Sequence, residues 1–209
     1  NRSSLSLDDK ILTSWNGLIL GALTQLARVS GEERYFSAVL KCGDFILKNL
    51  WDKDRLFVSY RNGRLGLPGY LDDYAFTAFG MLELYQATNS PLHLKWAETL
   101  CRTAISDFWD EKNGGFFLSG RKNETLIFQT KETYDGAIPS GNAVMAHNLV
   151  RLLQITGNME WEDITLKQLK FIGKLAQEMP MSHSFYLLAL SCYLSPEYIR
   201  VVLGNGADK

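Results

Sequence analysis

Two kinds of helical pattern alternate along the chain and differ in how much polar surface they leave. The stretch 70–89, YLDDYAFTAFGMLELYQATN, is apolar on nearly every side at helical spacing, which is typical of a buried helix. The stretches 14–30 and 140–156 have the same character. Three other stretches carry their apolar residues on one face, as amphipathic helices do: 33–50, 91–108 and 160–178. The pattern predicts helical hairpins, each with a buried inner helix followed by an amphipathic outer one.

The hairpin pattern repeats at a nearly fixed distance. The first two inner helices are predicted to end at residues 30 and 88, and the Trp-Asp pairs that follow the outer helices begin at residues 51 and 109, so both features recur after 58 residues. The third inner helix ends at residue 156, which is 68 residues after the second. A fourth inner helix is predicted over 182–194. Units of this kind cannot bury their faces alone and must stack on one another.

The connections between hairpins carry short strand signals. The run 56–60 precedes Asn62-Gly63, a pair typical of a tight β-hairpin turn. The second connection is expected to repeat this arrangement, with a glycine turn at 113–115 and extended runs at 116–118 and 125–129. After the last helix, the β-branched run 198–204 predicts a strand that begins a further element.

Stacked hairpins can be arranged in two ways. An open superhelix would suit a binding scaffold, whereas a closed α/α toroid places the apolar helices in an inner ring. Long connections with small β-hairpins favour the toroid, because solenoid repeats usually have short turns. The predicted fold class is all-α, an α/α toroid or a part of one, over residues 1–195, with the strand element at 196–209. Its repeats are expected at about 14–64, 72–130, 140–180 and 182–195.

Composition and charge exclude several classes of partner. The chain has 209 residues, of which 46% are hydrophobic and 12% aromatic, so it can bury a sizeable core. Its net charge is −1 and neither sign forms a run, so neither nucleic acid nor an anionic membrane is expected as a partner. No apolar stretch reaches the roughly 18–20 residues that a membrane span needs.

The three cysteines indicate a reducing environment. Cys42, Cys101 and Cys192 are far apart and each lies in an apolar helical pattern, so we interpret them as reduced core residues. A cytosol-like compartment fits this interpretation, and a cytoplasmic location is predicted.

Polar residues gather at the predicted N-termini of the inner helices. If these helices form a ring, their tips converge on one opening, where free N–H groups and the positive end of the helix dipole suit hydroxyl-rich or anionic ligands. The segments concerned are Ser14-Trp15-Asn16, Asp72-Asp73-Tyr74 and Ser140-Gly141-Asn142.

Carboxylates at these tips are the first candidates for catalysis. Cleavage of a glycosidic bond needs two carboxyl groups that flank the bond. Asp72 and Asp73 are neighbours on one helix and point in different directions, so the predicted catalytic pair is Asp73 with Asp135 from another repeat. The alternative is structural: Asp72 would cap its own helix and Asp73 would bond to the start of a neighbouring helix.

Amide, hydroxyl and aromatic side chains at the tips are candidates for binding a sugar. Asn16, Ser140 and Asn142 are interpreted first as helix caps, and as ligands they would form hydrogen bonds to sugar hydroxyls. Trp15 and Tyr70 are candidate stacking platforms, although a tryptophan at the start of a buried helix is more often part of the core. Asp72 and Tyr134 complete the predicted substrate-binding set.

His147 lies on the third inner helix, one and a half turns after Asn142, where it could face a central cavity. A lone histidine on an apolar helix is more often a hydrogen-bonded core residue. No cofactor or metal is predicted, because the sequence has neither nucleotide-binding glycine motifs nor ligand spacing typical of metal sites.

Three motifs together resemble the family that contains spermatogenesis-associated protein 20. They are DDKILTSWNG at 8–17, GYLDDYAF at 69–76 and YDGAIPSGN at 134–142, and the resemblance covers the whole chain in order. It implies a thioredoxin-like domain upstream of this chain, followed by an α/α barrel related to six-hairpin glycosidases and N-acylglucosamine 2-epimerases. Those epimerases abstract protons with histidine, which makes His147 a catalytic candidate. Six hairpins exceed the three and a half found here, so the resemblance also implies that the chain is a piece of the barrel, or that the other hairpins of the barrel lie upstream.

Two hypotheses of function follow. In the first, the toroid binds a sugar at its carboxylates and amides and hydrolyses or epimerises it. In the second, it is a non-catalytic interaction or regulatory module beside a redox domain. A catalytic site requires Asp73 and a second carboxylate or histidine to face one cavity, whereas a scaffold would use them in helix caps and interhelical bonds.

Overall fold

A computed structural model of the protein describes residues 7–124 and 127–195. Within these residues the chain forms seven α-helices, which agree with the predicted hairpins to within a few residues: α1 (Thr13–Ser30), α2 (Glu33–Asn49), α3 (Leu71–Thr88), α4 (Pro91–Phe108), α5 (Gly141–Thr156), α6 (Glu162–Glu178) and α7 (Ser184–Leu194). Short 3₁₀ turns precede the last two helices, at Met159–Trp161 and Pro180–His183. The predicted strand at 198–204 lies outside the described residues.

The helices form two layers, as the apolar pattern predicts. The inner layer is α1, α3, α5 and α7, each of which packs on the next, while α2, α4 and α6 pack on the outside of their own hairpins. Three of the described inner helices end at residues with a left-handed backbone in equivalent places of the repeat, Gly31 (φ 67°), Asn89 (φ 54°) and Gly157 (φ 62°). None of the described helices is long and apolar enough to cross a bilayer.

The first connection carries two small antiparallel sheets. One contains β1 (Ile11–Leu12), β4 (Ser59–Arg61) and β5 (Arg64–Leu65) in the order β1-β4-β5, and the other pairs β2 (Trp51–Asp52) with β3 (Arg55–Leu56). Asn62 and Gly63 both have positive φ, 50° and 78°, so the predicted hairpin turn is confirmed.

The second connection does not repeat this sheet. Among its described residues only an isolated bridge between Trp109 and Phe116 is present, so the expected strand run at 116–118 is wrong. Part of the other run, 125–129, lies outside the described residues. The connection instead folds against the helices through bonds such as Leu71 N to the Leu118 carbonyl oxygen (3.0 Å).

The helix α3 lies at the centre of the core. Its apolar side chains are buried on all sides, as the sequence predicts, because α1, α4 and α5 surround it. Close approach of α1 is possible because Gly17 has no side chain: a Cβ there would lie 2.6 Å from the backbone of Phe76 and of Thr77.

The first inner helix departs from the prediction of a buried rod. Four apolar side chains of α1 are more than two-fifths exposed: Trp15, Ile19, Leu26 and Val29. The physical reason is position, because α1 stands at the edge of the inner layer and has an inner neighbour on one side only, α3.

Candidate functional site

The N-termini of the inner helices are tied together by carboxylates. Asp73, in the first turn of α3, accepts a hydrogen bond from the backbone N–H of Ser14 at the start of α1 (3.0 Å) and another from that of Tyr70 (2.9 Å). The start of α1 has no side-chain cap of its own. Asp73 therefore caps two helices at once, which places their first turns side by side.

Two further carboxylates continue this pattern. Asp72 accepts a hydrogen bond from the backbone N–H of Gly141, the first residue of α5. Asp135 accepts from the N–H of Ser140 (2.9 Å) and from that of Phe185 in the first turn of α7 (2.8 Å). The first turns of α1, α3, α5 and α7 thus meet at one end of the inner layer, which we call the mouth, and the predicted convergence of the helix tips is confirmed.

Burial raises the pKa of both aspartates of α3. The pKa of Asp72 rises to about 6: burial is the main cause, the charge of Glu132 adds to it, and the Gly141 N–H opposes it. The pKa of Asp73 rises to about 7, again chiefly through burial, against the two backbone N–H donors and with a contribution from the charge of Asp72. Both groups hold a proton far more readily than an exposed aspartate.

The two aspartates differ in access. Asp73 is 3% exposed and both of its oxygens accept backbone N–H groups, whereas Asp72 is only partly buried. Asp135 is partly buried and also engaged by helix starts. The catalytic pairing of Asp73 with Asp135 stays a prediction, and the arrangement around both residues is the one that the structural alternative expects. Asp72 is the aspartate of α3 that a ligand can reach.

Three aromatic side chains in the segments that lead into the inner helices are exposed. Trp15 is 61% exposed, Tyr70 is 37% exposed and Tyr134 is 58% exposed. The interpretation of Trp15 as a core residue, the usual place of a tryptophan at the start of a buried helix, is therefore wrong. All three rings present apolar faces to solvent on the first turn of an inner helix or just before one.

The amide and hydroxyl candidates have mainly structural partners. Asn16 donates to the Leu12 carbonyl oxygen (2.7 Å), and Ser140 caps α5 by accepting from Ala143 N (3.2 Å). Asn142 is fully buried and holds the second connection, through Phe116 N (2.8 Å) and the Glu132 carbonyl oxygen (2.8 Å). Its side chain thus binds the protein's own backbone, which departs from the predicted role as a sugar ligand.

Glu132 is a residue that sequence reasoning did not assign. Asn142 fixes its backbone carbonyl next to Gly141, the residue whose N–H binds Asp72, so the two acidic residues lie at the same helix start. The Glu132 side chain accepts from Tyr134 N (3.0 Å) and is exposed. Only the path of the second connection over α5 reveals this placement, because nothing in the local sequence distinguishes Glu132 from other loop charges.

A cavity of about 680 Å³ is lined by residues of all four inner helices, and Asp72, Asp73 and Asp135 are not among its lining residues. We call it the trough. Each inner helix contributes one stripe at a spacing of three or four residues, the spacing of a single helix face: 18, 22 and 25; 79, 83 and 86; 147, 151 and 154; 185, 188 and 192. Asp72 precedes Phe79 by two helical turns and Trp15 precedes Leu18 by three residues, so both lie at the mouth end of these stripes.

His147 lines the trough, as predicted, between two aromatic rings. Its ring centre is 5.9 Å from that of Phe79 and 5.5 Å from that of Phe185. Burial, and then the charge of Arg151, lowers its pKa to about 3, so the imidazole is neutral at physiological pH. Its catalytic role stays a prediction. Among the described residues no cluster of His, Cys, Asp and Glu is arranged to hold a metal ion.

These pKa values predict how stability changes with pH. Between pH 6.5 and 8 Asp73, with a folded pKa of about 7, loses its proton. Because the pKa of Asp73 is raised above the unfolded value, its contribution to stability is present at low pH and is lost as pH rises. His147, with a folded pKa of about 3, is still partly protonated in the unfolded chain at pH 6.5, and this effect is the same in the parent and in Asp73→Asn. We expect the free energy of unfolding of the parent, relative to that of Asp73→Asn, to fall by about 1 kcal/mol across this window. Urea denaturation of both proteins at both pH values measures this difference. A rise in the difference over the window would contradict the assignment.

Comparison with known proteins shows two kinds of similarity. No family model matches the chain. Human spermatogenesis-associated protein 20 is 32% identical over 220 residues, which cover all of this chain and 28% of the human protein. Its mouse counterpart is 32% identical over 193 residues, covering 87% of the chain and 24% of that protein. The chain therefore spans roughly a quarter of the length of the curated relatives it matches.

Solved structures with the same fold are glycoside hydrolases and sugar epimerases. An α-1,6-mannanase of Salegentibacter sp. HEL1_6 has a TM-score of 0.64 at 14% identity, over 78% of this chain and 47% of the mannanase. That protein is a variant described as inactive, with two consecutive aspartates changed to asparagine, in complex with α-1,6-mannotriose. Cellobiose 2-epimerase of Bacillus thermoamylovorans has a TM-score of 0.64 at 15% identity, over 80% of this chain and 45% of the epimerase. The fold is thus that of an α/α toroid, of which this chain matches nearly half.

Proposed function

Because the chain belongs to the family of spermatogenesis-associated protein 20 and shares its fold with glycoside hydrolases and sugar epimerases, we propose that its mouth binds a carbohydrate. One observation carries the proposal: a partly buried carboxyl group with a raised pKa, Asp72, lies at the end of the inner layer where the sequence also places three exposed aromatic residues. Exposed rings can cover the apolar faces of sugars, and a carboxyl group with a pKa of about 6 can act as an acid in mildly acidic to neutral solution.

The chemistry that fits this arrangement is hydrolysis of a glycosidic bond. Asp72 donates its proton to the oxygen of the leaving sugar as the bond to the anomeric carbon breaks. The Glu132 carboxylate accepts a proton from the water that adds to that carbon. The protonated Glu132 would then release its proton to solvent and Asp72 would take one up, which restores both groups. The likeness to the mannanase supports this choice, since loss of two consecutive aspartates accompanies inactivity in that protein.

The test measures turnover and binding separately. α-1,6-Mannotriose and cellobiose are offered to the protein at pH 6, and sugar release is followed together with the thermal midpoint. We expect Asp72→Asn to lower the rate of hydrolysis about 100-fold or more while sugar binding remains, because general acid catalysis contributes about 10²–10⁴-fold. Asp44→Asn, a change of an exposed aspartate on α2, is the matched control and should leave the rate unchanged. An unchanged rate in Asp72→Asn would remove Asp72 from the mechanism.

A second candidate is a module that binds but does not catalyse. The observation in its favour is that Asp73 and Asp135 are engaged in helix caps, as a scaffold would use them. This candidate predicts no turnover of any glycoside. The thermal midpoint would rise if the module binds the sugar offered and would stay unchanged if it does not.

We also assign the chain to a reducing, cytosol-like compartment. Cys42, Cys101 and Cys192 are all free, and Cys101 is fully buried in the core, which supports this location.

A further inference from the structure

The trough contains a second polar region, away from the mouth. Arg151 of α5 donates to Glu83 of α3 through Nη1 at 2.6 Å, and both side chains are less than one-tenth exposed. Asp72 and Glu83 are 11 residues apart on α3, so this pair lies roughly 16 Å further along the helix at about 1.5 Å per residue. The pair is therefore separate from the carboxylates of the mouth.

The positive charges of this region exceed the negative ones. Nη1 of Arg28 lies 3.9 Å from the other carboxylate oxygen of Glu83 and donates to Gln86, which lines the trough. Two guanidinium groups thus share one carboxylate. His147 adds no charge, because it is neutral at physiological pH. Among the described lining residues Glu83 and Arg151 are the charged ones, so the region has a net charge of +1 once Arg28 is included.

Hydrogen-bonding capacity also remains unused there. Nη2 of Arg151 is buried and has no hydrogen-bond partner among the described residues, and the same is true of Nδ1 of His147. A buried donor without an acceptor costs about 1–3 kcal/mol, more for a charged group, so such atoms in a cavity wall indicate a site for an acceptor. The guanidinium group has five donors in a planar fork that matches carboxylate and phosphate oxygens.

We propose that the inner end of the trough binds an anionic group, a carboxylate or a phosphate, through Arg151 and Arg28. Glu83 holds the Arg151 guanidinium in place, and the amides of Gln86 and Gln154 complete the polar lining. Phe79 and Phe185 supply apolar wall beside the pair, and a charge pairing is stronger in such surroundings than in bulk water. The inference does not depend on catalysis at the mouth.

Four probes test the site by thermal shift and calorimetric titration: inorganic phosphate, glucuronate, glucose 6-phosphate and glucose. Sodium chloride at matched ionic strength is the control salt. We expect at least one anionic probe to raise the thermal midpoint above its value in sodium chloride, and glucose to bind at least 10-fold more weakly than its anionic counterparts. Phosphate alone would indicate a phosphate site, and glucuronate alone would indicate a carboxylate site.

Variants separate this site from the mouth. The paired change Glu83→Gln with Arg151→Gln removes the guanidinium fork at the centre of the site without changing its net charge, and it should reduce the anion-dependent shift by at least half although Arg28 remains. Arg64→Gln, a change of an exposed arginine on β5, should retain it. Asp72→Asn should also retain it, so failure of the proposed hydrolysis would leave this inference standing. The proposal would be overturned if no anionic probe raised the thermal midpoint of the parent above its value in sodium chloride. It would also be overturned if the paired variant showed the same shift as the parent.

Discussion

Replacement of Arg151 by leucine is expected to lower the free energy of unfolding by about 3–5 kcal/mol. The change leaves the Glu83 carboxylate, 5% exposed, without the donor that lies 2.6 Å away. Arg28 cannot replace that donor, because its Nη1 is 3.9 Å from the carboxylate and its side chain is 45% exposed to water. Urea denaturation at pH 7 gives the measurement.

The double variant Glu83→Met with Arg151→Leu tests whether the loss comes from the unpaired Glu83 charge or from the absence of the ion pair itself. Apolar side chains of similar volume often replace a buried ion pair without loss of stability, so we expect the double variant to recover most of the loss. Lys167→Leu is the control for an exposed pair, since Lys167 and Asp163 are both more than half exposed, and it should change stability by less than about 1 kcal/mol. If Arg151→Leu lowers the free energy of unfolding no more than Lys167→Leu does, the buried pair contributes little to stability.

Replacement of Asp73 by alanine is expected to cost about 2–4 kcal/mol at pH 5, because two backbone N–H groups lose their acceptor and each costs about 1–3 kcal/mol. Those groups belong to Ser14 and Tyr70, at the starts of α1 and α3, so the change also loosens the contact between the two helices. The loss should be smaller at pH 8, where the buried carboxylate of the parent has ionised at a cost.

Asp44→Ala is the matched control for this variant, because Asp44 is an exposed aspartate within a helix. Hydrogen exchange at the first turns of α1 and α3 would localise the effect. If Asp73→Ala unfolds at the same urea concentration as Asp44→Ala at pH 5, then Asp73 does not hold the mouth together.

Much of the fold could be predicted from periodicity and turn residues. The nearly continuous apolar character of 70–89 predicts a helix buried on all sides, and α3 is surrounded by three other helices. Asn62-Gly63 predicts a tight turn, because both residues tolerate a positive φ, and the structure has that turn. These features depend on short-range sterics and on which faces avoid water, and both are recorded locally in the sequence.

The wrong predictions concern apolar faces of predicted helices and strands, because the sequence does not specify which other element, if any, packs on each face. The apolar residues of 14–30 predict a buried helix, yet α1 is the edge of the inner layer and exposes Trp15 and Val29. The glycine turn at 113–115 predicts strands after it, yet the chain that follows packs on the helices and pairs only at Phe116 among the described residues. Local pattern says that a face is apolar, but it does not say whether another element covers it.

The candidate site divides in the same way. The motif around Asp72 and Asp73 predicts carboxylates at a helix start, and the structure places them there. Which of the two is accessible, and that Glu132 lies beside Asp72, follows only from the path of the second connection over α5. The same is true of the charged pair in the trough, whose two members lie in different repeats.

By itself, the sequence determined the helices, their order and the face of each that avoids water, because one turn of helix is enough to record that information. The tertiary structure alone decided which side chains meet. Ser14 and Asp73 are 59 residues apart and Glu83 and Arg151 are 68 residues apart, so these bonds depend on how whole helices pack. The packing of two helices depends on many small contacts along both of their faces, so it cannot be predicted from one local stretch of sequence.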